Sequence, residues 1–199
     1  SNCNIDSCRF TANRATSGGA LFTGNVNYVK NTVFEFNTAT RDTGAVKGDF
    51  GPLVHTNVLQ NCTLVGNSAE ISTGAVSFQR IQNCIVYANT APFAATLSSG
   101  TSAYGSLLWP VGQDDIFAAY VADSCKFGTP DFVDEGVGNF RLRPESPAID
   151  SGINAEVLAG ITDTAGSPRI GNHRVDIGAY EFYFDGGIRA RLQGPLSAL

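Results

Sequence analysis

The chain has 199 residues, a formal net charge of −5 and a sequence pI near 4.9, and charged residues make up 16% of it. Proteins that bind nucleic acid carry clustered positive charge. This chain has a net negative charge, so we expect no nucleic acid among its partners. No apolar run approaches the roughly 20 residues of a membrane-spanning helix, so we expect no membrane insertion within this chain.

Four copies of one phrase occupy the first 91 residues. They read SCRFTANRA from Ser7, NTVFEFNTA from Asn31, NCTLVGNSA from Asn61 and NCIVYANTA from Asn83. Each begins with Asn or Ser followed by Cys or Thr, and each ends with Asn, one further residue and Ala. The asparagines of this ending are 24, 30 and 22 residues apart in successive copies. A unit of this length cannot close a core alone, so the repeat predicts coils that stack on one another.

Each copy contains short alternating runs of small, β-branched and aromatic residues, which favour strands of about three to five residues. Asn, Gly, Ser and Thr separate these runs and favour turns, because they tolerate left-handed backbone or bond to their own backbone. The predicted fold class is therefore all-β, a parallel β-helix in which equivalent residues stack about 4.8 Å apart. We expect a right-handed coil because parallel crossover connections strongly prefer that hand.

Residues that recur at one position are predicted to stack as interior ladders. Asparagine suits a ladder because its amide both donates and accepts hydrogen bonds. Cysteine and threonine are small enough for a narrow interior, where a free cysteine behaves as a small hydrophobe. Five cysteines without a CxxC pair argue against a zinc site and a dense disulfide framework. The predicted columns are Asn13, Asn37, Asn67 and Asn89; Cys8, Thr32, Cys62 and Cys84; and Gly19, Gly44 and Gly74.

The sequence divides into three parts. Residues 1–129 are predicted to form the β-helix coils, with a looser repeat register beyond Ala91. Residues 130–182 are predicted to form a loop-rich C-terminal cap. Residues 183–199 are interpreted as the start of a following domain or a linker.

Four phrases in the C-terminal part carry a family resemblance. They are FRL from Phe140, SPAIDSG from Ser146, GSPR from Gly166 and DIGAYE from Asp176. This part resembles the choice-of-anchor Q region of secreted bacterial right-handed β-helix proteins, and the repeats resemble those proteins and the polymorphic outer-membrane-protein repeats. The resemblance implies a secreted or cell-surface bacterial protein whose export signal and anchor lie outside this sequence. It implies no reaction, so it transfers no catalytic residue.

Charged residues in the C-terminal part are interpreted as structural. An open end of a β-helix exposes unpaired strand edges, so a cap that covers them is expected. An arginine set with carboxylates among Gly, Pro and Ile is typical of an ion pair that fixes loops. The predicted cap residues are Asp150, Arg169, Asp176 and Glu181.

A calcium site is the alternative for the same part of the chain, because calcium binds clustered oxygen ligands. Neither an EF-hand nor a nonapeptide calcium spacing is present, so we expect no cofactor and keep calcium as the alternative. The two candidate sets are Asp131, Asp134 and Glu135, or Asp150, Asp163 and Asp176.

Two hypotheses about function follow. The first is a non-enzymatic extracellular module with a structural or adhesive role. Its partners would be an extracellular glycan, a cell-surface or matrix protein, or other domains or copies of its own longer chain. The second is a carbohydrate-active enzyme, a polysaccharide lyase or glycoside hydrolase acting on an acidic polysaccharide, by analogy with other β-helices.

The enzymatic hypothesis has few candidate residues. Lys30, Lys47 and Arg80 are expected near equivalent strand ends without a matching column of carboxylates, which favours the non-enzymatic hypothesis. His55 and His173 are interpreted as surface or loop residues, since no GxSxG or HExxH motif accompanies them. The remaining candidates are the carboxylate pair Asp114 and Asp115, with Lys30, Arg41 or Lys47 as base.

Overall fold

A computed structural model describes the chain over residues 3–24, 26–48, 57–78, 80–110, 115–156, 161–171 and 173–183. The predictions for His55, for Asp114 and for residues 184–199 lie outside these ranges. Strands account for 42% of the structure and helix for 3%, so the all-β prediction is confirmed.

The described elements are short strands and two 3-10 helices. The repeat region contains β1 Cys3–Asp6, β2 Arg9–Thr11, β3 Arg14–Ser17, β4 Leu21–Thr23, β5 Val26–Lys30, β6 Val33–Glu35, β7 Thr38–Asp42, β8 Val46–Gly48, β9 Val58–Gln60, β10 Thr63–Val65, β11 Ser68–Ala69, β12 Val76–Ser77, β13 Arg80–Gln82, β14 Ile85–Tyr87, β15 Ser102–Tyr104, β16 Leu107–Trp109, β17 Tyr120–Val121 and β18 Lys126–Phe127. The C-terminal part contains β19 Phe132–Asp134, a 3-10 helix Glu135–Val137, β20 Asn139–Leu142 and a 3-10 helix Asn154–Glu156.

The strands of the repeat region form four parallel sheets. Sheet 1 has the order β1-β5-β9-β13-β15-β17, sheet 2 has β2-β6-β10-β14-β16-β18, sheet 3 has β3-β7-β11 and sheet 4 has β4-β8-β12. Each strand pairs in parallel with its equivalent in the next repeat. We call one such turn of chain a coil. The arrangement is compatible with a β-helix or another solenoid.

The register of the sheets stacks equivalent apolar side chains inside the coils. Phe34 aligns with Phe10 in the preceding coil and with Leu64 in the next. The rings of Phe10 and Phe34 stack with centroids 5.0 Å apart. Val29 of sheet 1 and Val46 of sheet 4 belong to the same buried cluster. A single coil is too small to enclose a core, so the neighbouring coils supply the missing apolar partners.

The first asparagine of the phrase forms the corner between sheets 1 and 2. Asn31, Asn61 and Asn83 have φ values of 49°, 52° and 51°. Asparagine adopts this left-handed conformation more readily than most other residues do. Backbone conformation therefore explains why Asn recurs at this position.

Glycine in the third column allows neighbouring coils to approach closely. A Cβ atom on Gly19 would lie 2.2 Å from the carbonyl oxygen of Gly44, and one on Gly44 would lie 2.3 Å from that of Gly74. Both distances are shorter than any side-chain carbon tolerates, so a larger residue would force the coils apart.

The C-terminal part packs along the outer face of sheet 2. The sequence did not predict this lateral position, and the cap over an end of the strand stack stays a prediction. Val33, Val65, Ile85 and Leu107 on that face are apolar, and the C-terminal part buries them. The need to cover this apolar face decided where the segment lies. The covering residues are Phe132, Phe140, Leu142, Ala148, Ile177, Ala179 and Tyr180.

Candidate functional site

The asparagine column forms a continuous hydrogen-bonded ladder. The side-chain amides of Asn13, Asn37 and Asn67 each donate to Oδ1 of the next asparagine, the last of which is Asn89, over 2.9 Å in all three cases. The backbone N–H groups of the same three residues donate to the same oxygens over 2.8–3.0 Å. Each accepting oxygen therefore receives two hydrogen bonds from the preceding rung.

Backbone carbonyl groups satisfy the second amide proton of each later rung. Asn37 donates to Phe10 O over 3.0 Å, and Asn67 donates to Phe34 O over 2.9 Å. Asn89 likewise donates to the carbonyl of the preceding coil. Side chains that are buried and fully bonded have no group left for a ligand, so these asparagines stabilise the coils.

The second column is a ladder of short side chains that donate to the carbonyl two residues earlier. Cys62 Sγ donates to Gln60 O over 3.3 Å, and Thr32 Oγ1 donates to Lys30 O over 2.7 Å. Ser106 continues the series with a 2.9 Å bond to the carbonyl of Tyr104. The sequence predicted this column from the small size of its side chains. It did not predict that these side chains donate hydrogen bonds or that Ser106 belongs to the column. The Gly105-Ser106 pair, which occupies the Asn-Cys position, was the available signal.

Cys62 is not suited to act as a nucleophile. Burial raises the pKa of its thiol well above the ordinary value, and Cys84 raises it further. A thiol that stays protonated is unreactive, because the thiolate is the nucleophilic form. Cys8, Cys62, Cys84 and Cys125 are all free thiols.

Arg169 joins the C-terminal part to two coil corners. Its guanidinium is buried and bonds Glu181 Oε1 over 2.7 Å. It also donates to Asn31 Oδ1 over 3.0 Å and to Asn61 O over 3.1 Å. A further 2.7 Å bond reaches Gly178 O within the segment. We call this group, with Asp163 and Asp176, the Arg169 clasp.

The other carboxylates of the clasp hold backbone N–H groups. Asp163 accepts hydrogen bonds from the N–H groups of Ala165, Ser167 and Glu181. Asp176 accepts the N–H of Asp150 over 2.7 Å. Of the four predicted cap residues, Arg169, Asp176 and Glu181 thus meet in one buried network, while Asp150 contributes its backbone.

Burial makes two carboxyl groups of the clasp hard to ionise. It raises the pKa of Asp176 to about 6 and that of Glu181 to about 8, although Arg169 opposes both shifts. One guanidinium among several buried carboxylates does not compensate for all of their charges. Part of the network therefore stays protonated near neutral pH.

Neither candidate calcium set is arranged as a metal site. Within the described ranges, no group of three His, Cys, Asp or Glu side chains is placed to hold a metal ion. The oxygens of Asp163 and Asp176 already accept backbone hydrogen bonds. The set Asp131, Asp134 and Glu135 lines an open cleft.

The cleft lies where β14 meets the β19–β20 hairpin, and its volume is about 570 Å³. Tyr87 of β14 lines the cleft and packs edge-on against Phe132, with ring centroids 6.0 Å apart. Arg143 donates to the carbonyl groups of Phe132 and Val133, so its guanidinium fixes the hairpin. We call this site the acidic cleft; its charged lining residues are Asp131, Asp134, Glu135, Glu145 and Arg143.

Tyr87 stays protonated in the acidic cleft. Burial raises the pKa of its phenol, and the charges of Glu135 and Asp131 raise it further. A protonated phenol beside carboxylates can donate a hydrogen bond to a bound group.

The basic candidates do not converge on a groove. Lys30 pairs with Asp6 at 3.2 Å on sheet 1, and Lys47 pairs with Asp42 at 3.1 Å on sheet 4. The expectation that Lys30, Lys47 and Arg80 share equivalent strand ends was wrong, because in register Lys30 aligns with Gln60 and Gln82, not with Arg80. Arg41 lies on β7 in sheet 3.

An aromatic strip crosses the end of sheet 1. The guanidinium of Arg80 lies 4.9 Å from the ring centroid of Tyr104. The ring of Tyr104 lies 5.8 Å from that of Tyr120, which is exposed. These three residues come from β13, β15 and β17, which are adjacent strands of the sheet.

The other sequence candidates are not part of either site. His173 is exposed, and its carbonyl accepts a hydrogen bond from Asn154 Nδ2 over 2.8 Å. Asp115 lies at the edge of sheet 4, where its carbonyl accepts the N–H groups of Thr96 and Leu97.

No protein-family model, curated protein or solved structure matches this chain. The resemblance of its repeats and its C-terminal phrases to a known family therefore stays a prediction. In the part of the chain that the structure describes, none of the helices has the length and apolar character that spanning a membrane requires.

Proposed function

We propose that this chain is a right-handed parallel β-helix module of an exported bacterial surface protein, with a structural role, an adhesive surface and no catalytic activity. The observation that carries this proposal is the unbroken ladder from Asn13 to Asn89, in which the repeated side chains bond one another. The hydrogen-bonding groups of the repeated side chains already bond within and between the coils. Recognition is therefore left to residues that do not repeat.

The Arg169 clasp supports the structural role. It ties the C-terminal part to the corners at Asn31 and Asn61. Arg9 Nη2 of the first coil also donates to Gly138 O over 2.7 Å, and Lys126 Nζ of the last coil donates to Pro147 O over 3.1 Å. A segment bonded to both the first and the last strand of sheet 2 resists separation of the coils. This brace suits a spacer that carries load.

The aromatic strip supports the adhesive surface. Tyrosine and arginine are enriched where proteins bind partners, because they combine apolar area with hydrogen-bonding tips. The neighbouring rings of Tyr104 and Tyr120 on adjacent strands suit an extended glycan, and Arg80 favours one that carries carboxylates.

Binding to immobilised acidic polysaccharides tests this assignment. Tyr120→Ala should weaken binding by about tenfold, as expected for an aromatic anchor. Phe22→Ala is the matched control, because Phe22 is equally exposed but lies on sheet 4. An equal loss in both variants would contradict a site at the strip, and release of unsaturated or reducing sugar ends by the unchanged protein would overturn the non-catalytic role.

The acidic cleft favours a second candidate, a carbohydrate-active enzyme. Its carboxylates stand in an open cleft beside the protonated phenol of Tyr87, and paired carboxylates are the groups that glycoside hydrolysis uses. The test is sugar release by Glu135→Gln and Glu145→Gln, with Glu70→Gln as control, because Glu70 is exposed next to β11 of sheet 3 and does not line the cleft. Activity that depends on the two cleft residues and not on Glu70 would establish this candidate in place of the first.

A further inference from the structure

The acidic cleft has the size of a ligand site and a rigid aromatic wall. Its volume, about 570 Å³, lies within the range of about 300–1,000 Å³ that is usual for sites of small ligands. Tyr87 and Phe132 both line it, and Phe132 also packs edge-on against the buried ring of Phe140, with centroids 5.1 Å apart. Packing on both sides of Phe132 holds the wall in place, so the site is formed before a ligand arrives.

The charge of the cleft is negative. Four carboxylates line it, and the guanidinium of Arg143 is the one cation among the described lining residues. That guanidinium already donates to the carbonyl groups of Phe132 and Val133 over 2.8 and 2.6 Å. Among the described residues, no lysine or arginine forms an ion pair with any of the four carboxylates. The cleft therefore repels acidic glycans and attracts cations.

Trp109 extends the aromatic surface next to the cleft. It is the only tryptophan of the chain, it is 42% exposed, and in the register of sheet 2 it aligns with Tyr87. Equivalent side chains of adjacent parallel strands project from the same face of a sheet. The indole of Trp109 therefore lies on the same side of sheet 2 as the phenol of Tyr87, one strand further along the stack.

The neighbouring position in the last coil leaves space beside the indole. Gly128 follows Phe127, which aligns with Leu108, so Gly128 stands next to Trp109. It has no side chain, and a Cβ atom there would meet no other atom within 4 Å. The following residue, Thr129, lines the cleft. Trp109 thus stands between two parts of the cleft lining and has open space beside it.

A sugar ring that carries a free amino group satisfies both features of the site. Its ammonium group forms charge-assisted hydrogen bonds with carboxylates and is attracted by the face of an indole or phenol ring. Its C–H face packs against an aromatic ring, and its hydroxyl oxygens accept a hydrogen bond from the protonated phenol of Tyr87. A lysine side chain offers the ammonium group without the hydroxyl groups or the ring. The combination of carboxylates, phenol and indole therefore favours an amino sugar over a basic peptide.

We propose that the acidic cleft, together with Trp109, binds a glycan whose sugar rings carry free amino groups. The cleft carboxylates pair with the ammonium groups, and the rings of Tyr87 and Trp109 hold the sugar ring. The inference concerns binding alone. It depends neither on the aromatic strip, which is proposed for acidic glycans, nor on catalysis in the cleft.

Tryptophan fluorescence measures this binding directly, because Trp109 is the only indole of the chain. The probe is a glucosamine tetramer at a pH at which its amines are protonated. It is compared with the N-acetylglucosamine tetramer, which has the same ring without the charge, and with an oligogalacturonate of equal length. The glucosamine tetramer should shift the fluorescence and bind at least about tenfold more tightly than either of the others, and added salt should weaken its binding.

Two pairs of variants locate the site. Glu135→Gln should weaken binding of the glucosamine tetramer about tenfold, because it removes a charge-assisted hydrogen bond, and Glu70→Gln, outside the cleft, should leave it unchanged. Trp109→Leu, measured by calorimetry, should weaken binding by a similar factor. Its control is Phe22→Leu, because Phe22 is an exposed aromatic residue on sheet 4.

Three outcomes would overturn the proposal. The first is equal affinity for the free-amine and the acetylated tetramer. The second is an equal loss of affinity in Glu135→Gln and Glu70→Gln. The third is tighter binding of tetralysine than of the glucosamine tetramer, since the occupant would then be a basic peptide. Release of sugar ends is scored separately, so failure of the enzymatic candidate leaves the binding result intact.

Discussion

At the scale of single residues, the repeated positions are defined by hydrogen bonding as much as by size. Asn67 uses its side-chain amide, its side-chain oxygen and its backbone N–H at once. Thr32 stands in a column of cysteines because it, too, donates to the carbonyl two residues earlier. These bonds explain why alanine, which is small enough, does not replace them.

Asn67→Ala should lower the free energy of unfolding by about 3 kcal/mol. The change leaves the backbone N–H and amide of Asn37 without their acceptor, and each buried unsatisfied group costs about 1–3 kcal/mol. Asn13→Ala is the control and should cost less than about 1 kcal/mol, because that rung is exposed. Urea unfolding measures both, and equal costs would contradict a buried ladder.

At the scale of elements, the C-terminal part braces the coils laterally. Its apolar residues cover the outer face of sheet 2, and Arg169 reaches across to backbone and side-chain oxygens of two corners. The sequence predicted an arginine with carboxylates in this part, and it did not predict the partners Asn31 and Asn61. These partners are 138 and 108 residues away from Arg169, a separation that no local pattern reveals.

Arg169→Lys should detach this element first. Lysine cannot reproduce the four bonds of the planar guanidinium, so a buried network is broken at a cost of about 3–5 kcal/mol. Limited proteolysis should then cleave within residues 130–183 under conditions in which the repeat region stays intact. Arg174→Lys serves as control, because Arg174 is exposed and, among the described residues, its guanidinium bonds Gly152 O alone. Simultaneous cleavage of both regions would contradict a separable brace.

At the scale of the whole molecule, stability depends on pH in two directions. The folded state raises the pKa of Asp176 to about 6 and that of Glu181 to about 8, so it holds these protons more tightly than the unfolded chain does. The stability that the protonated carboxyl groups of Asp176 and Glu181 contribute is present at acidic pH and is lost as the pH rises toward 8. Asp42, whose pKa is lowered by Lys47, contributes stability that is instead lost as pH falls through its lowered value.

The free energy of unfolding should therefore decrease between about pH 5 and pH 8. Glu181→Gln should flatten this decrease, because glutamine mimics the protonated side chain and does not titrate. Glu70→Gln is the control, since Glu70 is exposed and its ion pair within the described part of the chain is with the exposed Arg14, at 3.3 Å. Urea unfolding across this range checks the slope, and a stability that rises with pH would show that Arg169 keeps Glu181 ionised.

The sequence by itself determined the all-β class, the parallel stacking of repeats and the columns that align, because a fixed spacing of Asn, Cys and Gly is a local property of the chain. It also indicated that the charges after residue 130 act together. Only the tertiary structure decided that the C-terminal part lies along sheet 2 and that Tyr87 meets the carboxylates of a cleft. Those outcomes depend on which outer face is apolar and on contacts between residues far apart in sequence, and neither leaves a periodic signal.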